Sequence, residues 1–178
     1  MKIGVFVGSF DPIHLGHVNL IKYLNEQQIV DKVFVIPTGN YWDKQNITDL
    51  QIRMEMLRFI QNDKIIILEQ YNGYQYTYEI IEQLEKEYPN DEFYLVIGAD
   101  NANTFDKWKR YQELLKKNII VASRNNERVN LVGEHVIFLN HNFGNISSRE
   151  IRENPAKSSH ILLPEVYEYI IKNRLYDI

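Results

Sequence analysis

The chain of 178 residues has no cysteine, which excludes disulfides, thiolate catalysis and Cys-based zinc sites. Nor does it contain an apolar run near the roughly 18 residues needed to span a bilayer. Its opening goes straight into a strand-like run, with no basic flank or small-residue cleavage site; no signal peptide is expected, and a cytoplasmic setting follows. An excess of positive charge is also missing. Lys and Arg number 20 against 24 Asp and Glu, a formal net charge of −4, which argues against nucleic acid as a partner. With 44% hydrophobic and 25% charged residues the composition is that of an ordinary globular protein rather than a disordered one. What these absences leave is a single domain spanning 1–178, long enough to bury a full core. Its expected partner is a small anionic molecule held by local positive groups.

What is present is an alternation of continuous apolar runs and helical patterns. Strands are predicted at 2–8, 32–37, 64–69, 92–98 and 118–123, with a short sixth at 135–139. Their apolar residues run on rather than alternate, as expected when helices cover both faces of a parallel sheet. Helical patterns fall at about 15–27, 49–61, 75–88 and 107–117. The last part, about 147–178, reads as helical, with helices at 147–154 and 164–173. The predicted fold is α/β: a doubly wound, Rossmann-like parallel sheet with helices on both faces. Ligands of such sheets bind outside the carboxyl ends of the strands.

The chemistry-bearing residues cluster where strands are predicted to end. After the first strand comes Gly8-Ser9-Phe10-Asp11-Pro12-Ile13-His14-Leu15-Gly16-His17. Two histidines three residues apart at a helix start share a face beside backbone N–H groups without intrahelical partners, a strong phosphate site. Gly8 and Gly16 allow a nucleotide close to the backbone. The bland alternative is one histidine as a cap and one as a packed ring. After the second strand, the loop 38–48 carries Trp42, read as a stacking or a covering ring, and Lys44, read as a site cation or a solvated one. Arg53, in the next helix, reads foremost as a surface or salt-bridged arginine. Thr77, before the third helix, reads equally as an N-terminal cap or a ligand contact.

The fourth strand ends in Gly98-Ala99-Asp100, whose carboxylate suits the two hydroxyls of a ribose or caps a helix. Trp108 follows, a stacking ring or a core one. Toward the end, Ile146-Ser147-Ser148 with Arg152 one turn later offers hydroxyls, amides and a guanidinium to one anion. Ser147 and Glu150 also form an S-x-x-E capping box, and the two readings are compatible. His135, His141 and His160 read as structural, and Arg124 as a phosphate contact or a solvated side chain. No carboxylate–histidine cluster has the spacing of a protein-bound transition metal.

The strand with G-S-F-D-P and H-x-G-H, together with the I-S-S-R-E-I-R segment at 146–152, resembles the nucleotidyltransferase superfamily of adenylyl- and cytidylyltransferases. Within it, the chain is similar to the mononucleotide adenylyltransferases of NAD biosynthesis. That resemblance implies transfer of AMP from ATP to nicotinate mononucleotide with release of pyrophosphate. It implies His14, His17 and Lys44 as catalytic residues, and Gly8, Ser9, Phe10, Gly98, Asp100, Ile146, Ser147, Ser148 and Arg152 as ATP contacts. Ser9, Lys44, Thr77, Asp100 and Trp108 would contact the mononucleotide, Trp108 by stacking on its pyridine. Magnesium would arrive with ATP. The chain departs from the family's common P-P-H-K, having Tyr41-Trp42-Asp43-Lys44 instead, so only the lysine carries over. Nicotinamide mononucleotide as the acceptor, and the phosphopantetheine branch, are the alternatives. A non-catalytic nucleotide sensor would be expected to lack His17 or Lys44. The sequence leaves oligomeric state open, a homo-oligomer among the options.

Overall fold

The computed structural model describes residues 1–39, 47–123 and 128–176. β1 (Lys2–Gly8), α1 (Leu15–Glu26), β2 (Lys32–Pro37) and α2 (Leu50–Leu57) open the chain. β3 (Ile65–Ile67), α3 (Thr77–Glu87), β4 (Glu92–Gly98) and α4 (Ala99–Asn103) follow. The short α5 (Tyr111–Leu114), then β5 (Asn118–Ala122), β6 (His135–Phe138), α6 (Ser148–Glu153) and α7 (Pro164–Lys172) complete it. The strands pair in parallel in the order β3-β2-β1-β4-β5-β6.

This is the Rossmann-like α/β fold that the sequence predicts, with its switch point between β1 and β4. On one side of that pair the connections run outward through β2 and β3; on the other they run through β5 and β6. A crevice opens where the two directions part, outside the carboxyl ends of the strands. Gly8 and Gly98 lie at those two ends.

The strands are apolar on both faces because each face is covered. Along β4, Phe93, Leu95 and Ile97 join one core layer, with Ile80, Ile81 and Leu84 of α3 and Leu114 of α5. Tyr94 and Val96 point the other way, into a layer built with Val18, Ile21 and Leu24 of α1, Met54 and Leu57 of α2, Ile151 of α6 and Ile170 of α7. The period of two in side-chain direction thus serves two helical layers at once. Among the described residues, no helix is long and apolar enough to cross a membrane.

The predicted boundaries shift by more than one residue in four elements. β3 is shorter than 64–69, since Glu69–Tyr71 turns into a 3-10 helix. The helix expected at 49–61 is α-helical only to Leu57 and tightens to 3-10 at Arg58–Ile60. α3 begins at Thr77 rather than 75, because Tyr76 is its N-cap, whose N–H donates to Glu79 Oε1 at 3.1 Å. The helix expected at 107–117 shrinks to α5, because Arg110 takes a left-handed conformation (φ 54°) just before it. α4, straight after Gly98, is a helix that the sequence pattern leaves out.

Candidate active site

The turn after β1 is built around its two histidines. His14 is the N-cap of α1, and its Nδ1 accepts the N–H of Gly16 at 3.0 Å and, at 3.4 Å, that of His17. His17 Nδ1 in turn accepts the N–H of His14 at 3.2 Å. The rings stack, with centroids 3.7 Å apart and planes 19° apart. The pair forms a capping box in which imidazoles take the places usually held by Ser and Glu. A ring nitrogen that accepts a hydrogen bond carries no proton, so the network assigns both protons to Nε2. Each imidazole is thereby a neutral N–H donor with a fixed orientation.

Glycine between them is a steric requirement. A Cβ on Gly16 would lie 2.8 Å from His14 Cε1 and 2.9 Å from its Nδ1, so the ring could not fold back over the helix start. Phe10 supports the pair from below. It is 2% exposed, holds a left-handed backbone (φ 48°) and packs its ring edge-on against His17 at 5.0 Å. Phe6 closes the same cluster, 5.3 Å from Phe10 and 5.8 Å from His17.

Opposite lies the start of α6. Ser147 Oγ accepts the N–H of Glu150 at 3.2 Å, and Glu150 Oε1 accepts the N–H of Ser147 at 2.8 Å. Ser148 Oγ donates to the Pro12 carbonyl at 2.9 Å, and Arg152 Nη1 donates to the Asp11 carbonyl at 2.9 Å. Two segments more than a hundred residues apart are therefore bound at the same turn. Gly98 lets α4 begin close by: a Cβ there would sit 2.9 Å from Asp100 Oδ1.

These elements enclose a cavity of about 290 Å³ lined by Gly8, Ser9, Phe10, His14, Gly16, His17, Gly98, Asp100, Ile146, Ser147 and Ser148. The structure thus gathers ten of the residues that the resemblance singles out, along with Gly16, from three separate loops. A larger cavity, about 340 Å³, lies at the amino end of the sheet, between Glu85, Lys117, Asn118 and His135, and holds none of them. Among the described residues, no group of three or more His, Asp or Glu could hold a metal ion.

The model of the cytidylyltransferase-like family matches residues 5–154, a span that holds both helix starts. The chain belongs to the cytidylyltransferase-like family. This cytidylyltransferase-like protein is 35% identical over 198 residues to a probable nicotinate-nucleotide adenylyltransferase of Clostridium tetani, the match covering 98% of each chain. It is 34% identical over 188 residues to a protein of the same description from Borrelia garinii, covering 99% of this chain and 95% of the other. Its fold superposes with a TM-score of 0.83 on a Plasmodium falciparum nicotinic acid mononucleotide adenylyltransferase complexed with NaAD, at 24% identity and over 99% and 97% of the two chains.

Other residues of this cytidylyltransferase-like chain fall outside the cavity wall. Thr77, 7% exposed, is the first residue of α3 rather than its cap, and half-buried Trp108 packs 4.8 Å from Phe105. Both belong to the side of the sheet opposite α1, where Trp108 joins Tyr74 and Tyr78. Arg152 adjoins the cavity through its bond to Asp11 without lining it. Lys44, Trp42 and Arg124 lie outside the described residues. His135 and His160 are exposed, at the start of β6 and in a 3-10 turn. His141 stacks on Tyr23 at 4.7 Å and meets Phe143, which lines the cavity.

Arg53 overturns its reading as a surface or ion-paired side chain. It is 0% exposed, and its fork donates to three backbone carbonyls: Nε to Thr48 at 2.7 Å, Nη1 to Ser9 at 2.9 Å and to Thr38 at 2.8 Å. The sequence of α2 carried no sign of this, since carbonyl partners leave no mark in a sequence. Phe143, Ser123 and Asn101 also line the cavity unforeseen, and only their places after β6, β5 and β4 hinted at it.

Proposed function

We propose that this protein transfers the adenylyl group of ATP to nicotinate mononucleotide, releasing pyrophosphate and forming the deamido-dinucleotide of NAD biosynthesis. The observation that carries the reaction type is the pair of stacked imidazoles on the wall of the switch-point cavity, each with its Nδ1 taken up by backbone N–H groups and its Nε2 as the donor. The choice of acceptor is supported by full-length likeness to relatives described as nicotinate-nucleotide adenylyltransferases.

The reaction needs no covalent intermediate. A phosphate oxygen of the mononucleotide attacks the α-phosphorus in line, and pyrophosphate departs. Catalysis then rests on positioning and on donors aimed where charge grows. His14 and His17 donate to the α- and β-phosphate oxygens. Neutral donors fit this task, because their orientation is fixed by the helix start itself. Ser148 presents the first amide of α6 to the β- and γ-phosphates, Ile146 and Ser147 line that end of the cavity, and Arg152 adds its charge there. Ser148 acts through its amide, since its hydroxyl is turned to Pro12. Gly8, Ser9 and Phe10 form the floor, and Gly98 with Asp100 takes the ribose. Lys44 bridges the mononucleotide phosphate and the triphosphate, while Thr77 and Trp108 hold the nicotinate end. The site is rich in N–H and O–H donors that match phosphate oxygens; magnesium would be held by the triphosphate itself and would supply neutralisation of the leaving pyrophosphate's charge.

The deciding experiment is steady-state pyrophosphate release with ATP and magnesium, comparing nicotinate mononucleotide, nicotinamide mononucleotide and phosphopantetheine, with His17→Ala as the blank. Turnover with nicotinate mononucleotide, lost in the variant, is expected. Turnover with phosphopantetheine alone would sink the roles given to Thr77 and Trp108.

A further inference from the structure

Behind the cavity floor lies a second arrangement that touches no substrate. Asp11 is 3% exposed, and each of its carboxylate oxygens has a partner. Oδ1 accepts the hydroxyl of Tyr176 at 2.6 Å, and Oδ2 accepts the N–H of Thr48 at 3.0 Å. Thr48 is gripped again from its carbonyl side by Arg53. Through Nη1 the same guanidinium binds Ser9 and Thr38, the residues that follow β1 and β2. The Asp11 backbone carbonyl receives Arg152 of α6, and the next carbonyl, Pro12, receives Ser148. One buried residue therefore joins four parts of the chain: from the β1–α1 turn, the Asp11 carboxylate reaches the entry to α2 and the segment beyond α7, and its backbone carbonyl reaches α6.

We propose that Arg53 and Tyr176 are positioning residues for the transfer reaction: Tyr176 through Asp11, and Arg53 through the Ser9 and Thr48 carbonyls, fix the Ser9–His14 turn against the start of α6, and so set the distance between the histidine donors and that helix start. The proposal rests on the function given above only for its kinetic readout.

The charges are arranged to hold. Burial pushes the Arg53 guanidinium down, and the negative charge of Asp11 pushes it back up. Burial, then the charge of Asp11, then the hydrogen bond to it raise the Tyr176 hydroxyl well above the ordinary phenol range. Tyr176 therefore stays the donor of that bond. A lysine at 53 would keep the charge but lose the planar fork that reaches three carbonyls in fixed directions. Phenylalanine at 176 would keep the ring and delete a single donor.

A role confined to stability and a role in positioning predict different outcomes. Tyr176→Phe and Arg53→Lys are each measured for thermal unfolding and, well below the midpoint, for kcat and KM with ATP and nicotinate mononucleotide. Positioning predicts that kcat and kcat/KM fall together by roughly ten-fold or more in the folded variant, the mark of an interaction realised in the transition state. Ser148→Ala combined with Tyr176→Phe should cost less than the product of the single losses, since both act on the same turn. Arg53→Met, which removes charge and fork together, should be worse than Arg53→Lys.

A second readout needs no substrate. The ¹⁵N imidazole resonances of His14 and His17 report which ring nitrogen is protonated. In the wild type both should read as Nε2–H, and in the two variants they should move toward tautomer exchange. A lower melting temperature with unchanged kcat, KM and imidazole signals overturns the proposal. Were the wild type inactive with every acceptor, the function above would fail, and the imidazole signals alone would then decide: moved in the variants, the proposal stands; unmoved, it falls.

Discussion

The starts of α1 and α6 face one cavity, and each is closed by a reciprocal cap, yet the two are held in different ways. At α1 the cap is made by His14 and His17, side chains with two ring nitrogens apiece. Nδ1 completes the helix, and Nε2 carries the proton that a phosphate oxygen wants. At α6 the cap is made by Ser147 and Glu150, and it brings a carboxylate to the end of the helix where an anion would bind. That end gains its place from outside, through Ser148 on Pro12 and Arg152 on Asp11. One helix start is organised from within, the other by tertiary contacts. A side chain with two functional atoms can serve fold and ligand at once, and one without them needs neighbours to make up the difference.

Substitutions should separate the two cases. The largest effect is expected from His17→Ala, which removes a donor from the transition state and the cap of His14 together. Pyrophosphate release should fall on the order of a hundred- to a thousand-fold. Gly16→Ala should come close to it, about a hundred-fold, because the new methyl group displaces the His14 ring while leaving both imidazoles in the sequence. A loss of only a few-fold there would break the claim that α1 is organised by its own stacked pair. Ser148→Ala cuts one tertiary tie of α6 and should cost roughly ten-fold in kcat/KM, with a smaller change in melting temperature. Ser147→Ala should do the reverse, costing about 1 kcal/mol of stability in urea unfolding and only a few-fold in rate. If Ser147→Ala proved the more damaging to rate, α6 too would be organised from within.

The smallest effect concerns pH. The Tyr176 hydroxyl has its pKa raised on folding, so its contribution is complete below the free phenol value of about 10 and is lost as pH rises beyond it. Tyr71, buried and bonded to Glu87, is raised in the same direction. Urea unfolding between pH 8 and 11 should show stability falling above about pH 10. Tyr176→Phe should flatten that limb without abolishing it, since Tyr71 remains.

Much of this was legible in the residues. The alternation of apolar runs and helical patterns carried the sheet and both layers, because the inner strands are buried on two faces and say so along their length, while the edge strand β6 is largely exposed. The two helix starts that line one cavity were legible as well, their residues being packed into a few consecutive positions. Arg53 and Tyr176 were not. Their partners lie 44 and 165 positions away in the chain, and for Arg53 they are carbonyl oxygens that any residue carries. The break before α5 escaped notice for a related reason: a left-handed arginine looks, in sequence, like any helix former.

The Asp11–Tyr176 bond spans 165 positions, and this bears on how the protein is made. At about 5–20 residues per second, the ribosome takes roughly ten to thirty seconds to travel from one partner to the other. The sheet and the stacked histidines have their sequence early, but the carboxylate beneath them waits for its last donor. A nascent chain halted short of Tyr176 would carry the whole H-x-G-H turn and still lack the Tyr176 bond to Asp11 beneath it, so by the proposal above that turn is fixed only once synthesis has passed Tyr176.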